Sequence, residues 1–530
     1  MADAPDRRHQ RLRAAVAAAL ACVAIIAAVV LAARAQQWND ELAIASPFAH
    51  VAPLAIDPHT PRLARRVVLI VIDGLGADES GLPFLDELRA RGAATSARVP
   101  YPTISRPNYV TIVAGVPPAD SGVRANRVRA PVGVDTVFDR VQAAGLRVAT
   151  ASDFGQLASL FLRHTDSLQG IAWRDDGVHV APQPPITWPV DDARRAGSLA
   201  QLEPMIAELA AGDASLVAAL VLDVDRAGHA HGIGAEYRAA AADVDRMLRA
   251  AFGSLDLTRD AVVITADHGH VAPGGHGGVE PEVSHVPLIL AGAGIVRGAR
   301  AHDARLVDVA PTVAALLGIA APGHAEGRAL TELLALSPGD AARRDAVDRV
   351  RAQILASVHA PGERPDGIQL ALAVLAIALG VAAALALHRR GAIRITRSSP
   401  IGALGVVAIG VALVAMTRGE LSPSYVPSLA RVERIGGIAA ALGIAIQVIA
   451  AHLVARRSLA AANGIAFVGL GSALAAVAIV CAWYAPPFVD VPPPLWLVAV
   501  PALELGAATC AVATVLALAL ARLTQPPQKC

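Results

Sequence analysis

Residues 67–74 read VVLIVIDG, a run of six aliphatic side chains that ends in an aspartate and a glycine. Two later segments share this design: LVAALVLDVD occupies residues 216–225, and AVVITADHGH occupies residues 261–270. A fourth apolar run, VPLILA, covers 286–291. Continuous apolar runs, rather than alternating ones, are typical of parallel strands that are buried on both faces. The sequence therefore predicts an α/β fold with a mainly parallel sheet that is covered by helices on both faces.

The first three predicted strands are each followed by side chains that can bind a metal ion. These are Asp73 after the first strand, Asp223 and Asp225 after the second, and Asp267 and His268 after the third. One aspartate at a strand end is most often a turn or helix cap. Sites in open α/β sheets, however, gather beyond the carboxyl ends of the strands. Three such ends in one domain therefore favour a shared centre.

His229 follows Asp225 by four residues with Gly228 between them, so both side chains can turn towards one ion. Carboxylate with imidazole is a ligand mixture suited to zinc or manganese. A centre with two ions needs about six such groups, and this segment of the chain supplies them.

The remaining ligand is expected downstream, where two histidines are available. His276 lies within GGHGG and His285 lies within SHVPL. Glycines permit close approach of the backbone, so we expect His276 rather than His285. His231 and His270 lie beside the predicted ligands and are candidates for groups that orient them, or for alternative ligands.

A nucleophile is expected in the stretch YPTISRPN at 101–108, which precedes a helical run that stops at Gly115. Ser105 or Thr103 then falls at a helix N-terminus, where unpaired N–H groups favour an anion. A serine in this place is usually a helix cap. The metal ligands on both sides favour the nucleophile instead.

Apolar segments at both ends of the chain predict a membrane protein. Of the 530 residues, 54% are hydrophobic, which argues against a purely soluble protein. Residues 14–34 are preceded by four arginines and exceed the usual length of a signal peptide core, so we expect an uncleaved anchor. Five further spans are predicted, at roughly 368–387, 400–416, 435–454, 461–483 and 495–521.

Arginines near the predicted spans indicate how the chain is oriented. Cytoplasmic loops are enriched in basic residues. We therefore expect a multi-pass protein of a bacterial inner membrane, with the following parts: a cytoplasmic N-terminus (1–13), the anchor (14–34), an extracytoplasmic catalytic domain (36–366, core 65–333), a C-terminal bundle (367–522) and a cytoplasmic tail (523–530). Glu504 is a carboxylate within the last span, which marks either a functional site or a partner for a neighbouring helix near the interface.

The composition excludes several classes of function. The formal net charge is +1 and only 3% of residues are aromatic, which argues against binding of nucleic acid. Lys529 is the single lysine, so lysine chemistry is excluded from the body of the protein. The four cysteines lie in or beside apolar runs or at the C-terminus and predict neither a disulfide framework nor a thiolate metal site.

The ordered motifs V-I-D-G, P-T-x-S-R-P-N, D-x-x-G-H, A-D-H-G and G-H-G resemble the alkaline phosphatase superfamily over most of residues 65–333. PTISRPNYVTIVAG followed by Asn126 is similar to the nucleotide pyrophosphatase/phosphodiesterases. SRP, VDTVFDRV at 134–141 and DHG followed by GHGG, together with the predicted membrane layout, are similar to the GPI ethanolamine phosphate transferases.

The resemblance implies a two-metal site that holds Zn²⁺, or alternatively Mn²⁺. One ion would be surrounded by Asp73, Ser105, Asp267 and His268, and the other by Asp225, His229 and His276. It also implies that Ser105 forms a phosphoserine and that Asn126 binds a phosphate oxygen, with Thr103 as the alternative nucleophile. The expected substrate is a phosphodiester, and the oligomeric state is not predicted.

The expected activity is that of a membrane-anchored phosphodiesterase or phosphotransferase. Its substrate or acceptor could be a lipid or a lipid-linked glycan, as in phosphoethanolamine transfer, and the alternative is hydrolysis of soluble diesters. A sulfatase is disfavoured because Tyr109 stands where the sulfatase signature has an arginine. A transporter or scaffold with an inactive domain is disfavoured by the complete ligand set.

Overall fold

The structure is a computed structural model, and it describes most of the chain. The described residues are 4–41, 46–126, 132–152, 168–169, 192–358, 367–404, 407–408, 411, 415, 422–425, 429–455, 458–483 and 503–523. The chain forms two compact units. The sheet unit comprises Leu42–Ala360 and Pro423–Pro427, and the helical unit comprises Met1–Glu41, Pro361–Ser422 and Ser428–Cys530.

Helices account for much of both units. They are α1 (Ala4–Glu41), α2 (Pro83–Arg91), α3 (Ser105–Ala114), α4 (Pro118–Ser121), α5 (Val137–Ala143), α6 (Asp192–Ala211), α7 (Asp223–His231), α8 (Ala235–Ala251), α9 (Pro281–Ser284), α10 (Val309–Leu317), α11 (Pro338–Val358), α12 (Gly367–Arg389), α13 (Leu429–Ala455), α14 (Leu459–Trp483) and α15 (Leu503–Leu523).

A seven-stranded sheet forms the core of the sheet unit among the residues described. Its strands are β1 (Arg66–Ile72), β2 (Ala93–Arg98), β3 (Val148–Ser152), β4 (Leu168–Gln169), β5 (Leu216–Val221), β6 (Asp260–Thr265) and β7 (His285–Gly292). Their order across the sheet is β2, β7, β6, β1, β5, β3, β4. Only β7 runs against the others, so the prediction of a mainly parallel α/β sheet is confirmed.

The four strands predicted from apolar runs are present, each within a residue or two of the predicted bounds. Every residue of β1 and β6 is buried, which requires helices on both faces of the sheet. Burial of a Val, Leu or Ile side chain contributes about 1.5–3 kcal/mol, so these central strands make a stable platform. VPLILA forms β7, which is antiparallel although it is as apolar as its parallel neighbours.

The order of the central strands determines where the site forms. β6, β1 and β5 are neighbours and parallel, with Val71 level with Leu220 on one side and Thr265 on the other. Their carboxyl ends therefore lie side by side at one edge of the sheet. The residues that follow these strands are brought together there, as the sequence predicts.

The motif VDTVFDRV at 134–141 has a local structural role. Thr136 caps helix α5, because its Oγ1 accepts a hydrogen bond from the Asp139 N–H and the Asp139 carboxylate accepts one from the Thr136 N–H. Asp135 forms an ion pair with Arg140 at 3.0 Å. These contacts fix the start of a helix.

Among the residues that the structure describes, the helical unit has four helical segments that are long and apolar enough to cross a membrane. They are Arg7–Leu31, Leu370–Arg389, Leu459–Ile479 and Gly506–Leu523. The predicted span at 435–454 falls within α13, whose apolar part is the shorter segment Arg434–Ile449. The predicted span at 400–416 begins in a 3₁₀ helix, Ser399–Ala403, and much of its remainder lies outside the described residues.

The predicted span at 495–521 is described from residue 503 onwards, as helix α15. Glu504 lies in the first turn of this helix, and its side chain is outside the described part of the structure. The functional prediction for Glu504 therefore stays a prediction. The same applies to the predicted domain boundaries and to the sides of the membrane.

Candidate functional site

Three buried carboxylates meet beyond the ends of β1, β5 and β6. Asp73 follows β1, Asp225 lies in the first turn of α7 after β5, and Asp267 follows β6. Each is at most 4% exposed. Three carboxylates that share a dry site repel one another, so the site needs positive charge.

One cluster is centred on His268, a fully buried residue. Its Nε2 lies 3.4 Å from Asp73 Oδ1, 3.3 Å from Asp267 Oδ2 and 3.1 Å from Ser105 Oγ. The structure thus brings together all four residues that the resemblance assigns to one ion.

A second cluster joins Asp225, His229 and His276. Asp225 Oδ1 lies 3.4 Å from His229 Nε2 and 3.8 Å from His276 Nε2, and the two imidazole nitrogens are 3.1 Å apart. These are the three residues that the resemblance assigns to the other ion. Helix α7 places Asp225 and His229 one turn apart on the same face.

The chemistry of both clusters fits divalent metal ions. Asp73 Oδ1, Asp225 Oδ1 and Asp267 Oδ2 are buried and have no hydrogen-bond partner among the described residues. Tetrahedral ligands at about 2.0–2.2 Å from zinc would be separated from one another by about 3.3–3.6 Å, close to the distances found here. The described residues therefore include groups that could hold a metal ion in each cluster.

Backbone carbonyls set the orientation of two of the imidazoles. His268 Nδ1 lies 3.1 Å from the Gly269 carbonyl oxygen, and His276 Nδ1 lies 2.9 Å from the Thr103 carbonyl oxygen. If each Nδ1–H donates to its carbonyl, the Nε2 lone pair points into the cluster. This is the usual arrangement of a histidine that binds a metal ion.

The electrostatics of the protein chain alone are unfavourable for carboxylates at this edge. Burial and the neighbouring Asp267 and Asp225 raise the pKa of Asp73 well above its ordinary range. Burial and Asp225 raise the pKa of Asp267 to about 7. Burial also lowers the pKa of His268 to about 3, so its imidazole is neutral. A bound cation would favour the ionised carboxylates and the neutral imidazole.

Asp225 behaves differently from the other two carboxylates. Burial by itself would raise its pKa, but the surrounding imidazoles, above all His229 and His270, hold the pKa well below the ordinary range. Asp225 is therefore the carboxylate of the site that ionises most readily.

Ser105 is the first residue of helix α3, as predicted, but it does not cap the helix. Ile104 occupies the cap position, and no side chain there accepts a backbone hydrogen bond. Ser105 Oγ instead faces His268 Nε2. The adjacent Arg106 N–H donates to Asn126 Oδ1 at 2.9 Å, which holds Asn126 beside the serine.

Thr103 has a different environment from Ser105, although the two are neighbours in sequence. It is 1% exposed, its Oγ1 donates to the Gly278 carbonyl at 2.9 Å, and it accepts from the Gly277 N–H at 3.0 Å. Both bonds hold the loop that carries His276. The geometry thus favours Ser105 over Thr103 as the nucleophile.

Of His231, His270 and His285, only His270 lies in the site. His285 is exposed at the start of β7, with Nδ1 3.2 Å from the Pro281 carbonyl oxygen. His231 is exposed because two residues turn a helix by about 200°, which points it away from His229. His270 is fully buried beside Asp225.

Two contacts of the site could not be identified as such from the sequence. The Tyr109 hydroxyl donates to Asp73 Oδ2, and burial keeps the pKa of Tyr109 well above its ordinary value. Its position four residues after Ser105 on α3 is the only sequence signal. Ser424, in Pro423–Pro427, accepts from the Gly278 N–H at 2.9 Å and donates to Glu280 Oε2 at 2.7 Å. No local motif marks Ser424.

Comparison with known proteins finds similarity to one family model and to several curated relatives. Residues 67–275 match the family model described as type I phosphodiesterase / nucleotide pyrophosphatase. GPI ethanolamine phosphate transferase 1 of Mus musculus is 24% identical over 324 residues, which cover 53% of this chain and 34% of the relative. The 2,3-bisphosphoglycerate-independent phosphoglycerate mutase of Agrobacterium fabrum is 36% identical over 117 residues, 21% of this chain and 22% of the relative.

The chain therefore spans about a third or less of the length of these curated relatives. Among solved structures, alkaline phosphatase PafA aligns with a TM-score of 0.41 and 13% identity, over 52% of this chain and 99% of that one.

Proposed function

We propose that the sheet unit contains a domain of the alkaline phosphatase superfamily, and that the protein is a two-metal phosphodiesterase or phosphotransferase that acts through a phosphoserine at Ser105. The family match and the transferase relative support an enzyme that acts on phosphodiesters. The observation that carries the proposal is the position of Ser105 Oγ, 3.1 Å from His268 Nε2 beside two buried carboxylates.

The proposed metal ligands are the residues of the two clusters, with Zn²⁺ as the expected ion and Mn²⁺ as the alternative. When bound, the ions supply positive charge that favours an ionised serine and a departing oxygen. Carboxylates from Asp73, Asp225 and Asp267 balance this charge, and His268 and His276 are held in place by backbone carbonyls.

In the first step, an oxygen–phosphorus bond forms from Ser105 Oγ while the bond from phosphorus to the leaving alcohol breaks. The serine proton passes to solvent and the alcohol takes up a proton. In the second step, water or another alcohol attacks phosphorus and Ser105 is released. The group on Ser105 in between keeps the second alcohol of the diester, and the N-terminus of α3 stabilises its negative charge.

Asn126 is proposed to bind a non-bridging oxygen of the substrate. Its Oδ1 accepts the Arg106 N–H, which leaves the amide nitrogen as the group that donates towards the site. A neutral donor suits a diester, which carries one charge less than a monoester. The site is therefore expected to prefer diesters.

The proposed location is the cell membrane, with the sheet unit outside the cytoplasm of a bacterium. Four apolar helical segments support membrane insertion. A hydrolase of soluble substrates needs only one anchor, so several spans favour a lipid or a lipid-linked glycan as donor or acceptor. Phosphoethanolamine transfer is the form of this chemistry that the transferase relative suggests.

The proposal is tested with the full-length protein in detergent, given phosphatidylethanolamine or bis-p-nitrophenyl phosphate. Release of diacylglycerol with a divalent metal present supports the lipid form, and cleavage of the soluble diester alone supports the alternative. Ser105→Ala should abolish both reactions, whereas Ser357→Ala, on α11, should leave them unchanged. Failure to cleave any diester with metal bound would overturn the proposal.

A further inference from the structure

His270 is a buried histidine beside the site for which the proposed function provides no role. It lies two residues after His268 and is fully buried. We propose that His270 is an additional metal ligand, bound through Nε2 together with Asp225. This inference rests on the proposed two-metal site and extends its ligand set.

The contact between His270 and Asp225 has the character of two ligands of one ion. His270 Nε2 lies 3.1 Å from Asp225 Oδ1. Neither atom has a hydrogen-bond partner among the described residues, so the pair is close without the alignment of a hydrogen bond. A buried polar atom without a partner is destabilising. A cation between the two atoms would satisfy both.

Two glycines form a slot that fits the His270 ring. A Cβ at Gly74 would lie 2.7 Å from His270 Nε2, and a Cβ at Gly228 would also lie 2.7 Å from it. For Gly228, the three nearest atoms are all in the His270 ring. Any other residue at these two positions would displace the imidazole, so the backbone holds Nε2 at a fixed point.

The slot places His270 between the two clusters. Ligand atoms of Asp225, His268 and His270 lie within 4.8 Å of one another, and Asp225 also belongs to the group with His229 and His276. Asp225 is thus common to both groups. As a ligand, His270 would add an imidazole next to the carboxylate that the two groups share.

The competing role is that of a positioning residue, which orients Asp225 without binding metal. Loss of either kind of residue weakens metal affinity, so affinity alone does not separate the two roles. The visible absorption of bound Co²⁺ depends on the number and type of its ligands. It therefore separates loss of a ligand from loss of an orienting contact.

The test uses full-length protein in detergent, freed of metal and titrated with Co²⁺. We expect His270→Ala to weaken binding of one Co²⁺ equivalent by about 100-fold and to change the absorption spectrum at saturation. His285→Ala, which removes an exposed histidine, is the matched control and should change neither. An unaltered spectrum at saturation in His270→Ala would overturn the inference.

Gly228→Ala gives a second test through the slot. Its Cβ should displace the ring and reproduce the spectral change of His270→Ala, while the double variant should show no further change. If the spectral changes of the two single variants were additive in the double variant, the result would contradict the role of Gly228 in holding the His270 ring.

A third test does not depend on variants. X-ray absorption of the zinc-loaded wild type should show about two imidazoles per zinc ion, because four histidines would bind two ions. A value of about one and a half, which is expected if His270 does not bind, would contradict the inference. Failure of the wild type to bind metal would overturn the proposed function together with this inference. Normal binding that is unaffected by His270 would overturn the inference alone.

Discussion

At the scale of single residues, the site separates two hydroxyls that the sequence places two positions apart. Ser105 Oγ faces the His268 cluster, whereas Thr103 Oγ1 is engaged by Gly277 and Gly278. The same short segment therefore supplies one group suited to attack and another that fixes the loop of His276.

Thr103→Val should impair metal binding and leave the nucleophile in place. The variant loses both hydrogen bonds to the His276 loop, at a cost of about 1–3 kcal/mol. We expect about tenfold weaker metal affinity, measured by competition with a chelator, and a phosphorylated serine that still forms. Absence of that phosphoserine at saturating metal would favour Thr103 as the nucleophile.

Asn126→Ala should lower kcat/KM for a diester by about 10²–10³-fold, because a donor to the substrate oxygen is removed. Metal affinity should be unchanged, since Asn126 contacts the Arg106 N–H and no member of either cluster in the described contacts. Steady-state kinetics with bis-p-nitrophenyl phosphate and a parallel metal titration measure the two effects. Loss of metal with unchanged kcat/KM at saturation would contradict the assigned role.

At the scale of secondary structure, the positions of the site residues follow from the ends of three strands. Continuous apolar runs were sufficient to predict β1, β5, β6 and β7, because strands buried on both faces carry no alternation. The direction of β7 was not predictable, because a run of apolar side chains does not indicate which way the strand runs in the sheet. Its partners on both sides are antiparallel to it.

Five members of the ligand sets were likewise accessible from the sequence, because each follows a predicted strand or lies one helical turn beyond one: Asp73, Asp225, His229, Asp267 and His268. Ser105 and His276 lie in other parts of the fold, and their assignment to an ion came from the resemblance. Ser424 was not accessible from the sequence, because it is close to Gly278 only through the fold, across 146 positions of sequence. His270 directly follows the A-D-H-G motif and is visible in the sequence. The glycine slot around it was not predictable, because it depends on the approach of two separate backbone segments.

Ser424→Ala should weaken the hold on the loop that follows His276. The Gly278 N–H and the Glu280 carboxylate both lose their bond to the Ser424 hydroxyl. We expect metal affinity to fall severalfold at unchanged expression, and Ser472→Ala, in helix α14, to have no effect. Equal metal affinity in wild type and Ser424→Ala would show that Thr103 alone is sufficient to hold the loop.

At the scale of the whole molecule, the buried carboxylates link stability to metal and pH. An unfolded aspartate has a pKa of about 3.9, whereas burial raises the pKa of Asp267 to about 7 and that of Asp73 well above its ordinary range. These two carboxyl groups hold protons that the unfolded chain has released. Burial also lowers the pKa of His229, His268 and His276, so these imidazoles hold fewer protons than unfolded histidine below about pH 6.5. Above that pH the carboxyl groups dominate, and the free energy of unfolding of the metal-free protein must fall as pH rises.

The measurement is thermal unfolding of the chelated full-length protein in detergent. The Tm should decrease from about pH 7 to about pH 8, and added Zn²⁺ should raise it more at the higher pH, because protons and metal compete for the same groups. A metal-free Tm that increases over this interval would contradict the account.

The four apolar helical segments lead to a prediction about the intact protein. Each buries enough apolar side chain in a bilayer to resist extraction by salt or alkali. Washing membranes that contain the full-length protein with alkaline carbonate should leave it in the pellet, and detergent should release it. Release by carbonate would show that these helices do not span the bilayer.

Detection of the phosphorylated nucleophile is the most direct test of the central claim. Full-length protein is mixed with bis-p-nitrophenyl phosphate and Zn²⁺, quenched in acid within the first turnover, digested and analysed by mass spectrometry. The account predicts a p-nitrophenyl phosphate ester on Ser105, formed with release of one p-nitrophenol, that is absent from Ser105→Ala and from protein treated with a chelator. Turnover of the diester without modification of Ser105, or with modification of Thr103 instead, would contradict it.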